Sequence, residues 1–180
     1  MSYHVRNLCP TDFETLMRLE QQIFGGDDED VLGPYYVRLC CDFFGQECFA
    51  VEHDGEVVGY LLSFVRDREA YCTTLAVVPT HQGGRAVHLM IRAYVRSVIG
   101  RVDRCWFTVK EDNAAARALH AALGAEEVGV RHDFYGPGDE RIVACIDQDK
   151  IATLRQRYER LGLLPTRVTT DRVPALGLLQ

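Results

Sequence analysis

The chain has 180 residues, 47% of them apolar, and a formal net charge of −6. That is enough apolar surface for one domain with its own core; the acidic balance argues against nucleic acid as the main partner, and the apolar runs, such as Val57 to Val65, are too short and interrupted to span a bilayer. The seven cysteines are odd in number and form no C-x-x-C pair, so free thiols in a reducing cytosol are expected and a zinc site is not.

Tyr3 to Leu8 alternates and predicts a first strand, which begins where a charged-then-apolar leader would otherwise stand. Thr11-Asp-Phe-Glu14 has the spacing of a capping box. Apolar residues at Phe13, Leu16, Met17, Ile23 and Phe24 then predict a helix from about Asp12 to Phe24, stopped by Gly25-Gly26. An acidic loop, Asp27-Asp28-Glu29-Asp30, leads to a second short helix over Pro34 to Phe44, with proline in its first turn. Cys48 to Glu52 and Glu56 to Val65 are expected strands joined by a tight Asp54-Gly55 turn. After a charged turn, Arg66 to Glu69, a fourth strand is expected over Ala70 to Val77. Ala86 to Ile99 reads as a helix, Arg104 to Val109 as a fifth strand, and Asn113 to Leu123 as an alanine-rich helix closed by Gly124. Val128 to Tyr135 and Arg141 to Ile146 are strands around Gly136-Pro137-Gly138. The order β-α-α-β-β-β-α-β-α-β-β is that of one mixed α/β domain, residues 1–147. Residues 148–180 are expected to add an amphipathic helix over Asp149 to Leu164 and an irregular tail. The tail's Leu176, Leu178 and Leu179 suit docking on the domain or on a second copy of the chain, and a disordered tail is the alternative.

The stretch LAVVPTHQGGRAVHLM, Leu75 to Met90, compresses a strand end, a glycine turn and a helix start into sixteen residues. A helix N-terminus offers unpaired amides and partial positive charge, and glycine lets backbone close on a ligand, so phosphate is the natural guest. If the strand next to Leu75-Ala76-Val77 splays away, the freed backbone can pair with an extended amide-containing arm. A diphosphate joined to such an arm describes coenzyme A.

Ala76 to Val87 resembles the acyl-CoA signature of the GNAT superfamily of N-acetyltransferases, Arg/Gln-x-x-Gly-x-Gly/Ala. Gln82 matches its first position; Arg85 stands where the central glycine is expected and Val87 where the final Gly/Ala is expected. Val109 to Ala125 is similar to the family's later motif, Asn-x-x-Ala-x-x-Leu-Tyr-x-x-x-Gly-Phe, with Asn113, Ala116, Leu119 and Gly124 in register. The matches cover Ala70 to Ala125, and the order of elements fits from Tyr3 to about Ile146.

The resemblance implies the GNAT fold, a mostly antiparallel sheet splayed between its fourth and fifth strands. It also implies acetyl-CoA as cosubstrate, with direct transfer of the acetyl group to a primary amine. Leu75, Ala76, Val77, Gln82, Gly83, Gly84, Arg85, Ala86, Val87 and Asn113 are then the candidate cofactor-binding residues. An amide near Leu75 or Ala76 would receive the oxyanion, and the Arg85 guanidinium would either reach a phosphate or crowd it. His120 occupies the place of the family's tyrosine and is the candidate catalytic acid, as an imidazolium near neutral pH; the alternative is a histidine that faces water or caps the last turn. Relatives that carry a glutamate on the fifth strand have Thr108 as its counterpart here, which leaves Glu69 and Asp133 as base candidates acting through water. Cys72 as an acyl nucleophile is disfavoured, because no histidine adjoins it in sequence. For the acceptor, the acidic loop with Asp28 and Glu29, together with Tyr35, Tyr36 and Tyr135, marks the expected pocket. The acceptor is a small amine or amino acid derivative, or else a peptide or protein amine. A non-catalytic CoA-binding or structural module is the reading from a different class.

Overall fold

The structure is a computed structural model and describes residues 2–26 and 31–165. In chain order it contains β1 (Tyr3–Asn7), α1 (Phe13–Phe24), α2 (Pro34–Asp42), β2 (Phe49–His53), β3 (Glu56–Arg66) and β4 (Glu69–Val77). These are followed by α3 (Arg85–Val98), β5 (Arg104–Val109), α4 (Ala114–Leu123), β6 (Glu126–Arg131), β7 (Arg141–Ile146) and α5 (Gln148–Arg160). All seven strands form one sheet in the order β1-β2-β3-β4-β5-β7-β6. Every neighbouring pair is antiparallel except β4 with β5, the crossover that α3 makes possible.

Two irregularities in β4 shape the site. Leu62 pairs with Thr74 while Ser63 pairs with Cys72, so Thr73 is an extra, bulged residue. The parallel rungs with β5 run from Glu69↔Arg104 to Cys72↔Phe107 and stop. Beyond them β4 and β5 fork, which is the expected splay. Gly59 permits the close pairing of β3 with β4 at this end: a Cβ there would stand 2.6 Å from the Ala76 carbonyl oxygen.

Helices cover both faces. α1 and α2 lie on the face of Tyr60 and Phe64; α3, α4 and α5 gather on the face of Cys105 and Phe107. The core joins Leu16, Val37, Tyr60, Leu61, Leu62 and Met90, each fully buried. α5 belongs to this packing. Its Tyr158 is buried and donates its hydroxyl to the Leu123 carbonyl at 2.7 Å, and Leu163 and Leu164 are buried beyond its end.

Several boundaries differ from the sequence expectation. The cap before α1 is not Thr11/Glu14. A 3-10 turn, Pro10–Asp12, precedes the helix, and the Cys9 amide donates to Asp12 Oδ2 at 2.8 Å. Asp12 takes this role because Arg6 on β1 grips both its oxygens, at 2.7 and 2.8 Å. The β3–β4 turn is tighter than predicted: Asp67 and Arg68 both have positive φ, so β4 already begins at Glu69. β6 ends at Arg131 rather than Tyr135, because Asp133 turns to φ 52° and its carboxylate accepts from the Gly138 amide at 2.7 Å. α5 ends at Arg160, ahead of Gly162 at φ 70°, and not at Leu164. The acidic residues Asp27 to Asp30 and the tail from residue 166 lie outside the described residues.

Candidate active site

β4 ends at Val77 and Pro79–His81 makes a single 3-10 turn. Gly83 follows at φ 69°, a conformation that L side chains rarely adopt, and Gly84 is the N-cap of α3. No side chain among the described residues caps that helix, so the amides of its first turn point outward unsatisfied. The turn is braced from behind. Gln82 Nε2 donates to the Val77 carbonyl at 2.9 Å, and Tyr3 on β1 pairs its hydroxyl with His81 Nδ1 at 2.7 Å. The Gln82 side chain therefore holds the turn, as does its amide, which donates to the Pro79 carbonyl at 3.4 Å. Ala86 is fully buried, Val87 packs against the core, and Arg85 is exposed with no ion pair among the described residues.

The free edge of β4, with Leu75, Ala76 and Val77, runs from this turn back to the fork. Ala76 and Val77 are buried on their side-chain faces. Asn113 stands across the fork at the end of β5, where its Oδ1 caps α4 by accepting from the Ala116 amide at 3.0 Å.

His120 lies at the apex. Its ring is 4.6 Å from that of Phe107, the last β5 residue paired with β4. Its Nδ1 is buried without a hydrogen-bond partner among the described residues, a costly arrangement. Burial pushes its pKa down to about 4, only weakly opposed by Glu127. The imidazolium expected near neutral pH is therefore not what the fold supplies: the ring is neutral there.

On the opposite face, hydroxyls rather than carboxylates surround the fork. Tyr36 meets Thr73 at 2.7 Å and Tyr71 meets Thr108 at 2.6 Å. Burial raises both phenols well above the usual range, so both stay protonated. Tyr135 lies beside Tyr71 and under the Arg141 guanidinium, 5.1 Å from its ring centre. Tyr35 points outward at 78% exposure; its neighbour Tyr36 is the α2 residue that reaches the fork. Asp28 and Glu29 fall outside the described residues. The two carboxylates expected as bases are engaged elsewhere. Glu69 binds Arg104 and the Trp106 indole, each at 3.1 Å, three rungs below the fork, and Asp133 holds the β6–β7 loop. Burial pushes the Cys72 thiol up to about 12, so it is no thiolate nucleophile at neutral pH.

Sequence reasoning missed Glu20. It is buried at 1% exposure, pairs with the Tyr60 hydroxyl, and accepts from the Leu32 amide at 2.9 Å. It thereby anchors the return of the acidic loop to the core. The available signal was a glutamate inside the apolar stripe of α1, one turn after Leu16.

Residues 13–125 match the profile of the acetyltransferase (GNAT) family. The chain belongs to the GNAT family. It is 32% identical over 103 residues to the [ribosomal protein bS18]-alanine N-acetyltransferase of Escherichia coli K12, covering 54% of this chain and 67% of that protein. It is 28% identical over 101 residues to an L-2,4-diaminobutyric acid acetyltransferase of Virgibacillus pantothenticus, covering 54% of this chain and 64% of that one. This GNAT chain thus spans just under two thirds of the latter relative. The crystal structure of the E. coli ribosomal-protein-S18-alanine N-acetyltransferase superposes with a TM-score of 0.66 at 20% identity, over 81% of this chain and 94% of that one. The fork between the parallel β4 and β5 and the glycine turn before α3 are thus features of a GNAT fold.

Proposed function

We propose that this GNAT protein transfers an acetyl group from acetyl-CoA directly to a primary amine, in the cytoplasm. The acceptor would be a small amine or amino acid derivative. One observation carries the reading: the β4–β5 rungs stop at Cys72↔Phe107, and the freed edge of β4 leads to an uncapped α3 N-terminus behind Gly83. That arrangement fits an amide-containing arm joined to a diphosphate. The amides from Gly83 to Val87 would hold the diphosphate and the β4 edge the arm; Val77 would contribute only its amide, since its carbonyl is taken by Gln82. Arg85 is free to add its guanidinium to a phosphate, and the Asn113 Nδ2, not used in capping α4, would be a further donor.

Acetyl-CoA supplies a thioester whose carbonyl gathers negative charge as an amine attacks. The Leu75 amide of β4 would receive that charge: Val78 donates its amide to the Val58 carbonyl of β3, so by alternation Ala76 also faces β3, while Leu75 and Val77 face the free edge. The amine would arrive on the face of α1 and α2, between Tyr36, Tyr71 and Tyr135. Neither Glu69 nor Asp133 is free to take its proton, and both phenols are held protonated. The amine therefore reacts in its neutral form or loses its proton to water, and the rate comes chiefly from placement. His120, neutral, gives a hydrogen bond to the departing sulfur; negative charge there raises the ring's affinity for a proton. In this reading it is a catalytic residue that acts as a donor rather than as a resident cation.

The small-amine reading draws on the diaminobutyric acid relative, and the bS18-alanine relative favours a protein N-terminus as the second reading. The test is a thiol-release assay with acetyl-CoA against diamines, amino acids and peptides with free N-termini. Transfer to small amines with little to peptides supports the first choice, and the reverse supports the second. Calorimetric titration showing no acetyl-CoA binding refutes both and leaves a structural module; binding without transfer to any amine leaves a CoA-binding module.

A further inference from the structure

The oxyanion donor proposed above sits on a strand with one free edge and a bulge just ahead of it. β4 has lost its β5 rungs from Thr73 onward, and its ladder to β3 is interrupted at the same residue. Bulged strands bend and twist locally, so the direction of the next amides depends on what fixes the bulge. The structure shows what does. Thr73 Oγ1 donates to the Leu62 carbonyl of β3 at 3.2 Å, at the interrupted point of the ladder. That uses the single proton of the threonine hydroxyl. The 2.7 Å contact with Tyr36 therefore has the tyrosine as donor and the threonine as acceptor. A two-link chain, Tyr36 to Thr73 to Leu62, ties α2 to both strands at the apex of the fork. Tyr36 is itself fixed, with its ring set edgewise against Phe64 at 5.8 Å and Phe64 against Phe44 at 4.8 Å.

We propose that Tyr36 is a positioning residue: through Thr73 it holds the bulge that aims the free amides of β4 at the acyl carbonyl. This rests on the acetyltransferase reading and adds a role for α2 beyond lining the acceptor pocket. The link acts on direction rather than on cofactor grip, because the diphosphate amides lie at α3, on the far side of the turn braced by Gln82. Its loss therefore separates kcat from KM. Misplacement of reacting groups by about 1 Å costs on the order of a hundredfold in rate, and a loosened bulge is a smaller error, worth about tenfold.

The experiment uses the full chain and four variants: Tyr36→Phe, Thr73→Val, Thr73→Ser and the double variant Tyr36→Phe/Thr73→Val. Expected are a fall in kcat of about tenfold for Tyr36→Phe and for Thr73→Val, with the acetyl-CoA KM unchanged within about twofold. The double variant loses no more than Thr73→Val alone, since the two side chains form one link. Thr73→Ser keeps the hydroxyl and most of the rate. Hydrogen exchange reads the bulge without catalysis: peptides spanning residues 71–77 exchange faster in Tyr36→Phe, and those of α3 do not. An active wild type with an unchanged kcat in Tyr36→Phe, additive losses in the double variant, or unchanged exchange at β4 overturns this proposal alone. A wild type that transfers acetyl to no amine overturns the acetyltransferase reading and this proposal with it.

Discussion

His120 gives the sharpest test of how the fold treats the apex of the fork. Burial against Phe107 lowers its pKa from 6.5 to about 4. The unfolded chain therefore binds a proton on this residue over a pH range in which the folded chain does not. Stability from this group is complete above the unfolded value of 6.5 and is lost as pH falls toward about 4. A full shift of that size corresponds to about 3 kcal/mol; the ring is partly exposed, and solvent screening reduces the expected effect to about 2 kcal/mol. The variant is His120→Phe, which keeps an aromatic ring against Phe107 and cannot titrate. Urea unfolding of both proteins at steps from pH 7 to pH 4.5 should show the wild type losing stability more steeply, by about 2 kcal/mol across the range. Carboxylates with lowered pKa, such as Asp12, titrate below this window and affect both proteins alike. Parallel curves for the two proteins would show that His120 is not desolvated, and the claim that it is neutral at the fork would fall.

Four further outcomes are expected. With a saturating amine of high pKa, kcat should keep rising with pH toward the acceptor's own pKa, since Glu69 and Asp133 are engaged elsewhere; a plateau set near pH 5 would reveal a carboxylate base. Gly83→Val places a β-branched residue at φ 69°; it should cost about 1–2 kcal/mol of stability and weaken acetyl-CoA binding measured calorimetrically. Unaltered affinity would remove the turn from the cofactor site. Arg85→Ala should weaken acetyl-CoA several-fold at low salt and less at high salt, as loss of an exposed cation near phosphate requires. Tighter binding would instead show that the guanidinium crowds the site. Glu20→Ala strips the Tyr60 hydroxyl and the Leu32 amide of their shared acceptor; a loss of about 2–3 kcal/mol is expected in urea unfolding, and a neutral result would mean that water takes over.

Where the determining chemistry is local, the sequence was enough. Asn113 caps α4 through an amide three residues away, and Gly124 ends that helix at φ 90°. The Asp54-Gly55 turn takes its positive φ values within two residues. Alternation and helical spacing located the seven strands and five α-helices of the described residues, because those periods reflect which face each element buries. The glycine turn could be read for the same reason: Gly83 needs its own backbone freedom whatever surrounds it.

Other features were decided by residues far apart in the chain. Asp12 rather than Glu14 caps the first turn because Arg6 reaches it from a strand held in place by β2. Tyr36 rather than Tyr35 enters the fork because Phe64 packs against one face of α2 and leaves the other in solvent. The bulge at Thr73 exists only relative to the register of β3, and the neutral state of His120 only relative to Phe107 and the helices around it. Periodicity fixes the face an element turns inward, whereas register, desolvation and side-chain pairing between distant segments come into being only when the sheet and helices close on one another.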